Sequence, residues 1–565
     1  MDNIPIGKTG PKTVAQGERA VCSSSHPLVT DVMLQVMRAG GNAVDAAVAG
    51  CMLQAVVEPH MTNHAGSIQF LYWDAATSKA YQLNGSGILV PDLPPFRPIP
   101  PIGIRFASDG RAPCACIPGF MPALGEIHRR FGTISWAELC RPAIEWAERG
   151  HPISSFEYAV LHEELRFFTY FPSGRRLFTP NGFVPEVGEI FSNPELAQTL
   201  RNCADQGPQY FTEGGWAKHF VSIANQLGWP IKLADMRAFP PRWQEPLYYK
   251  HRGYEVIQLS PPERTGIFTA FTLGVLSNFD LPSMGHYSQS SDALYLMAHT
   301  LRRAHWEMGL LYDPETFEVP LDIWLSSDYQ RFTADLIWRS RPRVDLTNHI
   351  RLTAGGPALA AAGLVSANPI NSSAGGSIGG HTPGGSCELS IVDPLGNWVQ
   401  MMNTLQSGGI PGIVVDGVPM VGSHARANLN DDIAGWFTGG GRIKSIVGST
   451  FVLQNGKPWL ALGTPGNVYA TIPQVLSSIL DYGFDPYQAS LLPRMDPLRD
   501  DYVLEIESTL PPEVAAGIAR YGIQVRPLPM FDYNMGSFQI CWRDAPSGML
   551  RSSADPRRAG KAAGF

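Results

Sequence analysis

Residues Gly384 to Gln406 read GGSCELSIVDPLGNWVQMMNTLQ, and no other stretch narrows the possible folds of this chain so far. Cys387, Leu389 and Ile391 alternate with Glu388, Ser390 and Val392, which predicts a strand. Asp393-Pro394-Leu395-Gly396-Asn397 makes a tight turn, and a second strand runs from Trp398 to Leu405. Gly384-Gly385 allows the backbone to distort just ahead of Ser386, whose hydroxyl can then attack the preceding carbonyl. Cleavage there would leave Ser386 as a new N-terminus carrying nucleophile and base on one residue. A free α-amino group has a reference pKa of about 7.7–8.0, so near neutrality it can take the hydroxyl proton without a separate histidine. The local sequence alone also fits a plain loop serine. Cys387 is a rival nucleophile if the cut falls one residue later.

The stretch resembles the γ-glutamyltransferase family of N-terminal-nucleophile (Ntn) hydrolases. In that family a Thr opens the small subunit four residues before the Ser of an S-V-V-D strand. Ser390-Ile391-Val392-Asp393 is similar to that strand, and counting back four gives Ser386, a conservative departure from Thr. Ser24-Ser25-His26-Pro27-Leu28, Gly40-Gly41-Asn42-Ala43-Val44-Asp45-Ala46-Ala47 and Val57-Glu58-Pro59-His60 resemble further family motifs. So do Trp136-Ala137-Glu138-Leu139 through Pro142-Ala143-Ile144, Thr464-Pro465-Gly466 and the tail Ala554-Asp555-Pro556-Arg557. The resemblance therefore covers nearly the whole chain. It implies an α+β fold, the four-layer αββα sandwich of Ntn hydrolases. It also implies a large subunit of residues 1–385 and a small subunit of residues 386–565, cut from one precursor and folded as one intertwined domain.

The resemblance also implies roles. Ser386 would be the nucleophile. Thr404, eighteen residues on, would bond its hydroxyl. The backbone N–H groups of Gly466 and Asn467 would hold the oxyanion where the family has P-G-G. Thr404 also fits an ordinary β-branched strand residue, and Gly466 and Asn467 an ordinary Pro-Gly turn.

Several departures bear on the substrate. Asn84-Gly85-Ser86-Gly87-Ile88 resembles the amidohydrolase and acylase branch, but Ile88 stands where an Arg binds the substrate carboxylate, so recognition of a free α-carboxylate should weaken. Gln406 replaces an Asn, and Ser445-Ile446 stands for Ser-Ser. The paired-acid segment is Asn430-Asp431-Asp432 or is replaced by Ser423-His424-Ala425. His64 lies near the expected site and also fits a core histidine hydrogen-bonded in place. The implied enzyme hydrolyses a small amide or N-acyl compound through a seryl ester. A γ-glutamyl transferase or glutathione hydrolase is the alternative, and an uncleaved binding protein is the third reading. No metal or organic cofactor is implied.

Composition sets the remaining bounds. With 44% hydrophobic and 16% charged residues, this is an ordinary globular chain, and 565 residues can bury a large core. A net charge of −7 argues against nucleic acid as the main partner, and Arg302-Arg303 reads as a solvated face. No stretch reads as a secretory signal or bilayer span, so no membrane partner is expected. Eight scattered cysteines fit a reducing compartment and a cytoplasmic location, with Cys114-Ala115-Cys116 as structural residues.

Further elements follow from local pattern. Helices are expected over Pro27 to Arg38 and, behind an Asn42 cap paired with Asp45, over Ala43 to Val57. Strands are expected over Gln69 to Trp73, Lys79 to Leu83, Ser449 to Leu453 and Trp459 to Leu462, the last two joined through Asn455-Gly456. Residues 91–103 read as a Pro-rich surface segment, about 122–338 as largely helical with a helix starting near Ile267, and 353–385 as a mobile linker.

Overall fold

The computed structural model describes residues 6–92, 116–169, 171–238, 240–308, 311, 313–315, 317–341, 385–405, 409–410, 412–420, 440–442, 447–498, 503–507 and 510–565. Cys114, Gln406, Ser445-Ile446, both candidate acid segments, nearly all of the Pro-rich stretch and the linker up to residue 384 lie outside the described residues.

Local signals start the first two helices. Pro27–Arg38 begins behind His26, whose Nδ1 accepts the Leu28 N–H, and the chain turns away at Gly40, φ 99°. Asn42 caps Ala43–Val57: its side chain accepts the N–H groups of Val44 and Asp45, and Asp45 accepts the Asn42 N–H in return. Every residue of this helix is buried, as its apolar circumference requires. Asp45 also accepts from the Thr133 hydroxyl and the Thr133 N–H, so the cap ties a distant loop to the helix. Asn42→Ala should lower stability by about 1 kcal/mol, read as a lower denaturant midpoint at unchanged slope.

Two seven-stranded antiparallel sheets form the centre. One runs, edge to edge, Lys561–Gly564, Val21–Ser24, Ser386–Val392, Trp398–Thr404, Ser67–Asp74, Lys79–Gly85, Arg242–Gln244. The other runs Ala15–Gly17, Leu550–Ala554, Gln539–Arg543, Lys457–Gly463, Thr450–Gln454, Tyr254–Gln258, Leu247–His251. Leu389, Ile391, Val399 and Met401 pack outward against the first two helices. Leu71, Trp73, Val392, Trp398 and Met402 meet Ile257, Phe451, Ala461 and Cys541 between the sheets. Val256, Val452 and Leu460 meet Val468, Ile472 and Leu476 of the helix Val468–Leu480 on the far side. The layers are helix, sheet, sheet, helix, the αββα sandwich.

Sealing both faces changes the meaning of the alternating pattern. All residues of Ser386–Val392 and Trp398–Thr404 are buried, so Glu388 and Ser390 face the inter-sheet gap instead of solvent. Asn455 (φ 54°) and Gly456 (φ 73°) make the expected hairpin turn.

The middle of the chain is largely helical, as expected, and carries strands besides: Arg242–Gln244 closes one edge of the first sheet, and Leu247–His251 with Tyr254–Gln258 builds an edge of the second. One expectation is corrected: Arg302 and Arg303 are not a free basic face. Arg302 Nε donates to the Pro497 carbonyl at 2.9 Å, and Arg303 pairs with Glu307 at 2.5 Å. Among the described residues no helix is long and apolar enough to cross a membrane.

Candidate active site

Ser386 and Thr404 are directly opposed in the central hairpin. The Ser386 hydroxyl donates to Thr404 Oγ1 at 2.8 Å, and the Thr404 hydroxyl donates onward to the Gly385 carbonyl oxygen. One hydrogen-bonded path thus joins the expected nucleophile, its expected partner and the carbonyl of the peptide bond ahead of it. Ser386 is only 5% exposed. Its own carbonyl accepts from Arg558 Nη1 at 2.9 Å, which fixes the main chain on the other side. A Cβ at Gly385 would lie 2.6 Å from Leu405 Cδ1, so a larger residue there must displace that side chain.

Cys387 points the opposite way, toward the helical layer. Its thiol donates to Glu58 Oε2 at 3.4 Å, and burial pushes its pKa well up, which removes the thiolate a nucleophile needs. Glu58 Oε2 also accepts from Ser25 Oγ at 2.7 Å and Gln54 Nε2 at 2.8 Å, and Gln54 Oε1 accepts from Asn403 Nδ2 at 2.7 Å. This network braces the rear of the nucleophile's strand. Ser25 and Glu58 belong to motifs visible in the sequence, but their meeting behind Cys387 depends on tertiary contact and was not anticipated. The same holds for Arg558, which directly follows the recognisable tail.

The Thr464-Pro465-Gly466-Asn467 turn follows the strand Lys457–Gly463. Its left-handed position is Gly466 (φ 85°), while Asn467 takes an ordinary φ of −77°. Asn467 tolerates the turn because glycine occupies the demanding position. The Asn467 N–H donates to the Asn534 carbonyl at 3.0 Å, and its side chain caps the following helix. One of the two expected oxyanion donors is therefore engaged within the protein. The turn is tied to the nucleophile's strand through Gly463, where a Cβ would fall 2.1 Å from Glu388 Oε1.

Other predicted positions serve the scaffold. His64 is buried, with Nε2 3.1 Å from the Met52 carbonyl and its ring against Phe120. Burial pushes its pKa down to about 4, so it stays neutral near pH 7. Ile88 is 3% exposed and stands opposite Arg442 in an isolated antiparallel bridge. The Arg442 guanidinium donates to the Pro240 carbonyl at 2.5 Å. Asn84 Nδ2 donates to Glu263 Oε1 at 3.1 Å, and Gln69 Nε2 donates to Ser86 Oγ at 2.7 Å. The N-G-S-G segment is thus held by Glu263, at the start of the helix Arg264–Leu276. Among the described residues no group of three or more His, Cys, Asp or Glu side chains is arranged to hold a metal.

The model for the gamma-glutamyltranspeptidase family matches residues 29–565. The glutathione hydrolase-like YwrD proenzyme of Bacillus subtilis (strain 168) is 25% identical over 558 residues, spanning 97% of this chain and 99% of the relative. The acylase ACY 1 proenzyme of Pseudomonas sp. (strain SE83) is 24% identical over 563 residues, spanning 96% and 93%. The crystal structure of cephalosporin acylase from Bacillus halodurans superposes with a TM-score of 0.78 at 22% identity, covering 98% of this chain and 97% of that one, a likeness of fold. With a family model spanning nearly the whole chain and the hairpin geometry around Ser386, this protein belongs to the γ-glutamyltranspeptidase family of Ntn hydrolases.

Proposed function

We propose that this Ntn amidohydrolase matures by cleavage between Gly385 and Ser386 and then hydrolyses small N-acyl amides through an ester on Ser386. The carrying observation is the path Ser386 to Thr404 to the Gly385 carbonyl, which presents the hydroxyl to the bond it must cut. After the cut the freed amino group accepts the hydroxyl proton and returns it to the leaving amine. Thr404 orients the hydroxyl. The Gly466 N–H and the Asn467 N–H, once released from Asn534, hold the oxyanion; each such donor contributes about 10²–10³ in rate. Water then releases the acid. The two products of maturation stay together, because each sheet pairs strands from both sides of residue 385.

The substrate reading rests on Ile88, an apolar buried residue where the resemblance implies a carboxylate-binding Arg. Loss of a bidentate cation disfavours a free α-carboxylate. A panel of neutral N-acyl amides should give kcat/KM values about 100-fold above that of γ-glutamyl-p-nitroanilide, a difference of about 2.7 kcal/mol in transition-state binding. The reverse ratio would favour a γ-glutamyl transferase or glutathione hydrolase, the latter being the term in the name of the Bacillus subtilis relative. A chain that stays whole and inert would favour a binding protein. The proposal also places the enzyme in the cytoplasm: the cysteines among the described residues are buried free thiols, which suits a reducing compartment.

A further inference from the structure

Self-cleavage poses a problem that later turnover does not. Until the chain is cut, the Ser386 nitrogen is an amide and cannot act as a base. Thr404 cannot keep the proton either, since its own hydroxyl already donates to the Gly385 oxygen and it can only relay. Another group has to accept the proton of the attacking hydroxyl.

Glu388 stands two residues beyond Ser386 on the same face of the strand, in the gap between the sheets. Its Oε1 accepts from Gln400 Nε2 at 2.9 Å and from Ser449 Oγ at 2.9 Å. Gly463, three residues before the turn glycine Gly466, abuts the same oxygen. The carboxyl therefore touches the strand of Thr404, the segment entering Thr450–Gln454 and the strand that leads into the Pro465-Gly466 turn. Its Oε2 is buried with no protein hydrogen-bond partner, as are Gln400 Oε1 and Gln539 Oε1. Gln539 lies directly opposite Gly463, on the strand next to it. Buried polar atoms of this kind are met by water in folded proteins.

The surroundings suit a proton acceptor. Burial pushes the Glu388 carboxyl up to about 7, against the opposing pull of the Gln400 and Ser449 bonds. A carboxylate with that affinity holds a proton far better than an exposed one and is still partly ionised near neutrality. Two thiols lie on the elements around it. Cys541 faces the gap from the opposite sheet, with its pKa pushed up to about 11 by burial, and Cys51 lies across its own sheet, also pushed up by burial. Gln400, Met402, Ser23 and Gln539, on the strands packed around it, carry no charge, and no charged group among the described residues is a cause of its shift.

We propose that Glu388 is the proton acceptor for self-cleavage, serving Ser386 through water held beside its unpartnered oxygen. This rests on the self-processing reading above. Ser386 Oγ forms a bond to the Gly385 carbonyl carbon while its proton passes to the Glu388 carboxylate. The bond from that carbon to the Ser386 nitrogen then breaks, and the nitrogen takes the proton back from Glu388. The result is an ester between Gly385 and the Ser386 oxygen. Water hydrolyses the ester to give the Gly385 carboxylate and a Ser386 with a free amino group and its hydroxyl restored. Glu388 ends as it began.

The test follows the full-length precursor, freshly made by cell-free translation, with cleavage sampled over time by denaturing intact-mass measurement from pH 5.5 to 9. The wild-type rate should rise with pH and level off, with a midpoint near 7, since the ionised carboxylate is the active form. Glu388→Gln should cleave about 10²–10⁴-fold more slowly and lose that midpoint. Ser449→Ala removes a bond that favours ionisation, so its midpoint should move to higher pH. Glu388→Gln cleaving at the wild-type rate with an unchanged profile would overturn the proposal. If that variant does not fold, an unmoved midpoint in Ser449→Ala would overturn it equally. A wild type that never splits removes the reaction, and with it the self-processing reading as well.

Discussion

Ser386→Ala is expected to leave one 565-residue chain where the wild type gives two fragments, and to lower turnover by about 10⁶. Two losses follow from one missing oxygen. The bond to Thr404 and the attack on Gly385 both need that hydroxyl. Without the cut, the amino group that serves as base in turnover is never made. Mixing purified Ser386→Ala with substrate should therefore give no burst of acyl-enzyme, whatever the pH. Ser386→Thr is the matching control. It keeps the hydroxyl, restores the residue the family resemblance implies, and should still split at the same bond. The rival cut has a distinct signature: if Ser386→Ala splits with its new N-terminus at Cys387, the thiol is the nucleophile. Its contact with Glu58 and its burial argue against that outcome.

The sequence carried those parts of the fold that depend on neighbours along the chain. The Asn42 cap, the Asn455-Gly456 turn and the hairpin about Asp393 each need only a few adjacent residues, and each has a side-chain mechanism legible as letters. The three-residue strand Arg242–Gln244 became a strand because a sheet edge was there to pair with, and it is too short to announce itself. The site divides in the same way. The placement of Ser386 opposite Thr404 follows from hairpin register, which an eighteen-residue offset encodes. The meeting of Glu58, Ser25 and Gln54 behind Cys387 joins three segments, and nothing local announces it. Glu388 is the clearest case. Read as the polar side of an alternating strand, it should face water. Only the second sheet, packed over it, turns an ordinary carboxylate into a buried one with a raised proton affinity.

The tail Ala554-Asp555-Pro556-Arg557 acquires its meaning from burial, and Arg557→Leu should destabilise the protein by about 3–5 kcal/mol. The Arg557 side chain is fully buried. Its Nε donates to Glu507 Oε1 at 2.8 Å, its Nη1 to the Ser490 carbonyl at 2.9 Å and its Nη2 to the Leu492 carbonyl at 3.0 Å. Asp555, also held by Arg494, lies 3.3 Å from Nη1. Removing the guanidinium takes the side-chain cation from buried Glu507 and leaves buried Asp555 with Arg494 alone. Burial alone would raise the Asp555 pKa, but Arg494 and Arg557 outweigh it and hold the carboxyl below its usual range. Its folded pKa is therefore below its unfolded value of about 3.9. The stability it contributes is present above pH 3.9 and is lost as pH falls through the lower folded value. In Arg557→Leu one of the two cations is gone, so Asp555 should protonate at higher pH and acid unfolding should begin earlier. Melting temperatures recorded between pH 3 and 7 would show this as a curve displaced toward neutrality. A double variant, Arg557→Leu with Glu507→Leu, separates stranded charge from lost packing: partial recovery over the single variant is expected if the uncompensated carboxylate carries most of the cost. Activity should fall together with stability, because the next residue, Arg558, holds the Ser386 carbonyl, and an anchor that loosens at Arg557 loosens that hold on the nucleophile's main chain.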